Sequence, residues 1–104
     1  MNILLIDTSS NEEIIVGLRI GNREYQSKQK VGSQKAQVVL PLIDKLLKKH
    51  KLFPQDLNAI EVNEGPGSFT GLRVGISVAN TLSFALKIPV NGKAAGEFVE
   101  ALYE

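Results

Sequence analysis

The chain contains no cysteine. That excludes disulfides, thiolate nucleophiles and sulfur-ligated metals, and it fits a reducing compartment. The sole histidine, His50, lies among lysines. Without a histidine pair a helix-borne zinc protease lacks its ligands, and a Ser-His-Asp site would rest on this one ring. Neither sign of charge prevails: twelve Lys and Arg face eleven Asp and Glu, so net charge gives no general reason to expect a polyanion or a membrane surface as partner. Long apolar runs are missing as well, none approaching the roughly 20 residues of a membrane span. Met1-Asn2 leads directly into Ile3-Leu4-Leu5-Ile6 without a basic leader or a cleavage site, and the expected location is the cytoplasm. What remains is ordinary for an ordered soluble domain. With 104 residues, 43% of them hydrophobic, the chain can build one modest core and has no room for a two-lobed enzyme.

Residues 2–7 form a continuous apolar run ending in Asp7-Thr8-Ser9-Ser10-Asn11, as in a central strand buried on both faces and closed by a polar turn. From Glu13 to Ile20 the pattern alternates, with Ile14, Val16, Leu18 and Ile20 on one face and Gly17 and Arg19 on the other. Gly21-Asn22 supplies a hairpin turn into a mostly polar third strand, Arg23 to about Lys30, whose lysines suit a sheet edge. The period then lengthens. Val39, Leu42, Ile43, Leu46 and Leu47 predict a helix over 34–50, capped by Ser33 and interrupted by Pro41, which calls for a kink or a later start. A strand over 57–62, a glycine loop, a helix from Thr70 to Leu86, a brief strand at Pro89-Val90 and a helix over 93–103 complete the order. Such an order predicts an α/β fold: a mixed five-stranded sheet with flanking helices, similar to one lobe of the actin-like, ribonuclease H-like fold.

Four features could carry chemistry or contacts. In Glu64-Gly-Pro-Gly-Ser-Phe-Thr-Gly-Leu-Arg-Val-Gly75, Gly65 and Gly67 allow unusual backbone angles and Ser68 or Thr70 can cap the next helix. The loop can serve as a capped turn for close helix–sheet packing, or as an anion cradle at a helix N-terminus. Asp7-Thr8-Ser9 can likewise be turn residues bonding nearby backbone, or groups that meet a phosphate or a hydrated metal. Gly71, Gly75, Ala79 and Ser83 recur every four residues and leave a bare stripe on one helix. Two interior glycines each cost up to about 1 kcal/mol of helix propensity, so a close contact should offset them, either inside the domain or across a subunit boundary. The cluster Lys45, Lys48, Lys49, His50, Lys51 reads as a solvated helix end beside the negative dipole terminus, or as a nucleic-acid patch.

The glycine loop Glu64–Gly75, Ile6-Asp7-Thr8-Ser9 and Leu40-Pro41-Leu42-Ile43 together resemble the TsaB (YeaZ) family of bacterial tRNA threonylcarbamoyladenosine biosynthesis proteins. The likeness covers nearly the whole chain, and its glycine loop is the specific part. It implies a noncatalytic accessory or scaffold subunit that docks by helices onto a larger TsaD-type catalytic paralogue and works with a TsaE-type ATPase, meeting tRNA only through the complex. It also implies that Gly71, Gly75, Ala79 and Ser83, with Val39, Leu42, Ile43 and Leu46, lie near the partner interface; with the partner absent, the same small-residue surface would stay exposed and could make a homodimer. Relatives continue into a second lobe, so residues 1–104 are expected to be a single N-terminal lobe, without the opposite wall of a nucleotide cleft. No catalytic residue, metal or cofactor is expected, and the glycoprotease activity once ascribed to relatives finds no ligand set here.

Two other readings come from different classes. A small phosphate- or nucleotide-binding module would use Asp7, Thr8, Ser9, Gly65, Gly67, Ser68 and Thr70. Direct tRNA contact would use Lys28, Lys30, Lys35 and the group from Lys45 to Lys51.

Overall fold

The computed structural model describes residues 1–32, 34–67 and 69–100. Three strands open the chain: β1 (Asn2–Asp7), β2 (Glu13–Ile20) and β3 (Arg23–Lys30). Helix α1 (Lys35–Lys49), a 3₁₀ turn (Pro54–Asp56), β4 (Ala59–Val62) and helix α2 (Phe69–Leu86) follow. The sheet order is β3-β2-β1-β4, with β1–β2 and β2–β3 antiparallel and β1–β4 parallel. Both helices cover the same face. Leu4, Ile6, Ile14, Val16, Leu18, Ile60 and Val62 point into the core against Val39, Leu42, Ile43, Leu46 and Leu47 of α1 and Leu72, Ile76 and Ala79 of α2.

The alternation read in β2 therefore holds, and so does the hairpin. Of its two turn residues only Gly21 takes a positive φ, 60°. The polar third strand is indeed at the sheet edge. On β1 the expectation of burial on both faces is half met: Leu4 and Ile6 are buried, whereas Ile3 and Leu5 on the other face are half-buried, with no described helix over them.

Several expectations need correction. The described sheet has four strands, not five; Val90 joins it only by a single parallel bridge to Ile60, because Asn91 and Gly92 turn the chain away at positive φ. The fourth strand starts at Ala59, since Leu57 and Asn58 are used in leaving the 3₁₀ turn and in pairing with Asn2. No helix forms over 93–100, where Lys93 pairs back to Val90 and Gly96 adopts a φ of 90°; the rest of that predicted helix lies outside the described residues. Helix α1 begins at Lys35 and runs through Pro41. Pro41 and Gln37, whose carbonyl loses its intrahelical donor, are both on the exposed side, where water can replace the bond. The Ser33 cap lies outside the described residues, and Gln34 occupies the cap position without a side-chain bond.

Candidate functional site

Because β1 and β4 are parallel neighbours, their C-terminal ends deliver Asp7-Thr8-Ser9 and Asn63-Glu64-Gly65 to one place, the position where open α/β sheets commonly carry ligands. There Asp7 Oδ1 accepts from the Ser9 N–H at 2.9 Å, the Ser9 hydroxyl at 2.6 Å and the Asn63 amide at 3.3 Å. Asn63 also donates to Ser9 Oγ at 3.2 Å and accepts from the Gly65 N–H at 3.0 Å, an Asx-type turn that opens the glycine loop. Gly67 presses on Ser9: a Cβ there would stand 2.8 Å from Ser9 Cβ. The loop is thus folded onto the strand end.

Thr8, only 1% exposed, makes the least expected contact. Its hydroxyl donates to the Gly71 carbonyl and accepts from the Gly75 N–H at 3.0 Å. Those are the two groups that an α-helix normally pairs with each other. A Cβ on Gly75 would stand 2.6 Å from Thr8 Oγ1 and 3.2 Å from Ile6 Cγ2, so β1 and α2 can approach this closely only while residue 75 has no side chain.

Of the phosphate-site residues expected from sequence, Asp7, Thr8, Ser9, Gly65 and Gly67 do come together. Thr70 is exposed on the first turn of α2, and Ser68 lies outside the described residues. The polar groups that converge bond mainly to one another. Among the described residues no group of three His, Cys, Asp or Glu side chains could hold a metal ion.

The eight residues expected near a partner interface pack inside this chain. Val39, Leu42, Ile43, Leu46, Gly71, Gly75, Ala79 and Ser83 are all buried within this chain. The small-residue stripe faces β1 and the C-terminal end of its own helix: Ser83, 1% exposed, donates to the Ile88 carbonyl at 2.6 Å. A bare stripe admits a strand as readily as a helix, and here the strand is the chain's own. Outside the core, α2 presents a different surface. Residues 73–84 of its outer side and the segment 98–100 enclose an open groove of about 830 Å³ with Ile76 and Val99 at its floor. Phe84 and Phe98 on its sides are 68% and 60% exposed. Asn80 fixes the second wall by bonding both the Val99 carbonyl and the Val99 N–H, at 3.0 and 2.9 Å.

Sequence reasoning missed Asn63, Asn80 and Asn91. Asn91 closes the end of β4 by accepting from the Val62 N–H at 2.8 Å and donating to its carbonyl at 2.9 Å. Asn63 had a usable signal, since an Asn two residues before a loop glycine favours an Asx turn; the long-range bonds of the other two had none. Lys35 is corrected too. Rather than a free cation it is buried, and its ammonium donates to the Thr8 and Ser10 carbonyls, holding α1 to the β1–β2 turn.

Fold and site together define a mixed α/β lobe in which a glycine loop and a strand-end Asp-Thr-Ser clamp helix to sheet. Residues 24–92 match the family model TsaD, tRNA N6-adenosine threonylcarbamoyltransferase, and the chain belongs to this family. Its similarity within the family is to TsaB, or YeaZ, proteins. It is 35% identical to the tRNA threonylcarbamoyladenosine biosynthesis protein TsaB of Bacillus subtilis over 97% of this chain and 44% of that protein. To TsaB of Escherichia coli it is 33% identical, over 88% of this chain and 39% of that one. Among solved structures, YeaZ from Pseudomonas aeruginosa superposes with a TM-score of 0.80 at 35% identity, covering 86% of this chain and 41% of that one. The chain therefore spans less than half the length of these relatives.

Proposed function

We propose that this chain acts in the formation of threonylcarbamoyladenosine in tRNA as a noncatalytic accessory subunit that docks onto a TsaD-type catalytic paralogue. Its helix layer supplies the contact, with a TsaE-type ATPase joining through the assembly. The observation that carries the reading is the apolar groove on the outer side of α2 between Phe84 and Phe98. Exposed aromatic rings flanking an apolar floor are the usual anchor of a protein interface. Leu40 on α1, also exposed, extends the apolar character of the layer. Docking uses the outward side of the two helices, while the stripe of Gly71, Gly75, Ala79 and Ser83 sets the spacing of α2 on the sheet. The same outward side serves a homodimer when the paralogue is absent.

A phosphate- or nucleotide-binding module is the less supported reading, because Asp7 Oδ1, Thr8 Oγ1 and Ser9 Oγ are engaged in tying strand, loop and helix together. Affinity purification of the chain from its own host tests the assignment. Recovery of the catalytic paralogue supports it. A chain that returns alone while titrating with ATP and Mg²⁺ in a calorimeter reverses the order of the two readings.

A further inference from the structure

Of the chain's asparagines, Asn91 alone is followed by glycine. Asn91 and Gly92 are the central pair of a tight turn. Both have positive φ, 49° and 77°, and Val90 and Lys93 exchange both backbone hydrogen bonds across them, at 2.9 and 3.0 Å; two such φ values are what a type I′ hairpin turn needs, and Asn-Gly is its preferred sequence. The turn also finishes the sheet. On the outer edge of β4 the Ile60 N–H donates to the Pro89 carbonyl at 2.9 Å, and the Ile60 carbonyl accepts from the Asn91 N–H at 2.9 Å. The Val62 N–H and carbonyl meet the Asn91 side-chain amide, at 2.8 and 2.9 Å. A primary amide carries the donor and the acceptor of a peptide group, so this side chain stands in for the next residue of a neighbouring strand. Asn91 thereby fills three of the four outward backbone groups of Ile60 and Val62, groups that would otherwise be a template for pairing with another chain. Its Nδ2 also lies 3.3 Å from Glu64 Oε2.

We propose that Asn91 is a deamidation site guarded by β4, where hydrolysis of the side-chain amide marks a chain whose β4 edge has opened and keeps that edge from closing again. In an Asn-Gly pair the second residue has no Cβ to hinder its backbone nitrogen from reaching the asparagine Cγ. The Gly92 nitrogen attacks Asn91 Cγ; the N–Cγ bond forms, the Cγ–Nδ2 bond breaks, and ammonia leaves with the proton that the Gly92 N–H gives up. Water then opens the cyclic imide at either of its carbonyls, leaving aspartate or iso-aspartate. Gly92 is exposed, with open space where a Cβ would stand, so water reaches it. Departure of Nδ2 requires that it give up the Val62 carbonyl and Glu64, so the reaction proceeds from chains in which the edge has opened locally. The product does not refit. A carboxylate at position 91 offers no N–H to the Val62 carbonyl and meets Glu64 as a like charge, and an iso-aspartate also lengthens the main chain inside a two-residue turn. The proposal concerns the chain by itself and stands apart from the docking reading.

The test is peptide mapping by mass spectrometry of the whole chain held in warm, mildly alkaline buffer, with and without denaturing urea. In urea Asn91 should convert faster than any other asparagine, and Gly92→Ala should slow it roughly tenfold or more by placing a Cβ beside the attacking nitrogen. Without urea the conversion at Asn91 should be slower by roughly tenfold or more, because only the opened fraction reacts. Asn91→Asp, made directly, should exchange its Val62 amide roughly tenfold faster than the parent, and Glu64→Gln in the same chain should recover part of the difference. Circular dichroism confirms that each variant is folded. The proposal is overturned if Asn91 converts equally fast in the folded and the urea-unfolded chain, if another asparagine leads in urea, or if a folded Asn91→Asp chain exchanges its Val62 amide at the parent's rate.

Discussion

Gly75→Ala isolates the contact on which the placement of α2 depends. On a free helix the change would stabilise by up to about 1 kcal/mol. Here the new methyl would sit 2.6 Å from Thr8 Oγ1, 3.3 Å from Thr8 Cγ2 and 3.2 Å from Ile6 Cγ2. Thr8 cannot swing aside, because it is β-branched, buried, and held at its hydroxyl by Gly71 and Gly75. Overpacking of this kind costs about 1–3 kcal/mol, and displacing a buried hydroxyl from its partners costs about 1–3 kcal/mol more. Set against the propensity gain, the net expectation is a loss of about 3 kcal/mol, seen in urea as a midpoint lowered by about 1.5 M at unchanged slope. Thr8→Ala in the same chain makes room for the methyl. The double variant should therefore be more stable than the sum of the single losses by about 1 kcal/mol or more. A Gly75→Ala protein as stable as the parent, or strict additivity with Thr8→Ala, would refute the reasoning and return the glycine stripe to the list of possible intersubunit contacts.

Asn63→Ala removes the amide that links Asp7, Ser9 and Gly65; a loss of about 1–2 kcal/mol is expected, with faster amide hydrogen exchange at Ser9 and Gly65 than elsewhere in the sheet. Lys35→Met keeps the length of the side chain but leaves the Thr8 and Ser10 carbonyls without its ammonium. Thermal unfolding should occur several degrees lower, a shift of about 4–8 °C for each kcal/mol lost in a domain of this size; an unchanged midpoint would show that the clamp contributes nothing.

Much of the fold was legible because its signals are local. The period-two run of Ile14, Val16 and Leu18, the Gly21-Asn22 turn and the helical spacing from Val39 to Leu47 each depend on residues close in sequence. The segment after Pro89 was not legible in the same way. Phe98, Val99 and neighbouring alanines look helical, but Lys93 pairs with Val90 and Asn80 captures Val99, contacts that no local pattern reports. At the site, the meeting of the Asp7 turn with the glycine loop was readable from its residues. Which surface the glycine stripe would face was not, because absence of side chains specifies a close neighbour without specifying whether it is a strand of the same chain or a helix of another. Lys35 shows the complementary error, a charge offered for tRNA contact that the Thr8 and Ser10 carbonyls of the β1–β2 turn take up instead.

The accessory-subunit account is tested most directly by titrating the chain against the catalytic paralogue from the same organism in a calorimeter, beside the Phe84→Glu variant. Saturable binding that weakens at least tenfold in the variant, with stability unchanged, is the predicted result. Equal affinity for both proteins, or no heat with either, would contradict docking through the outer side of α2.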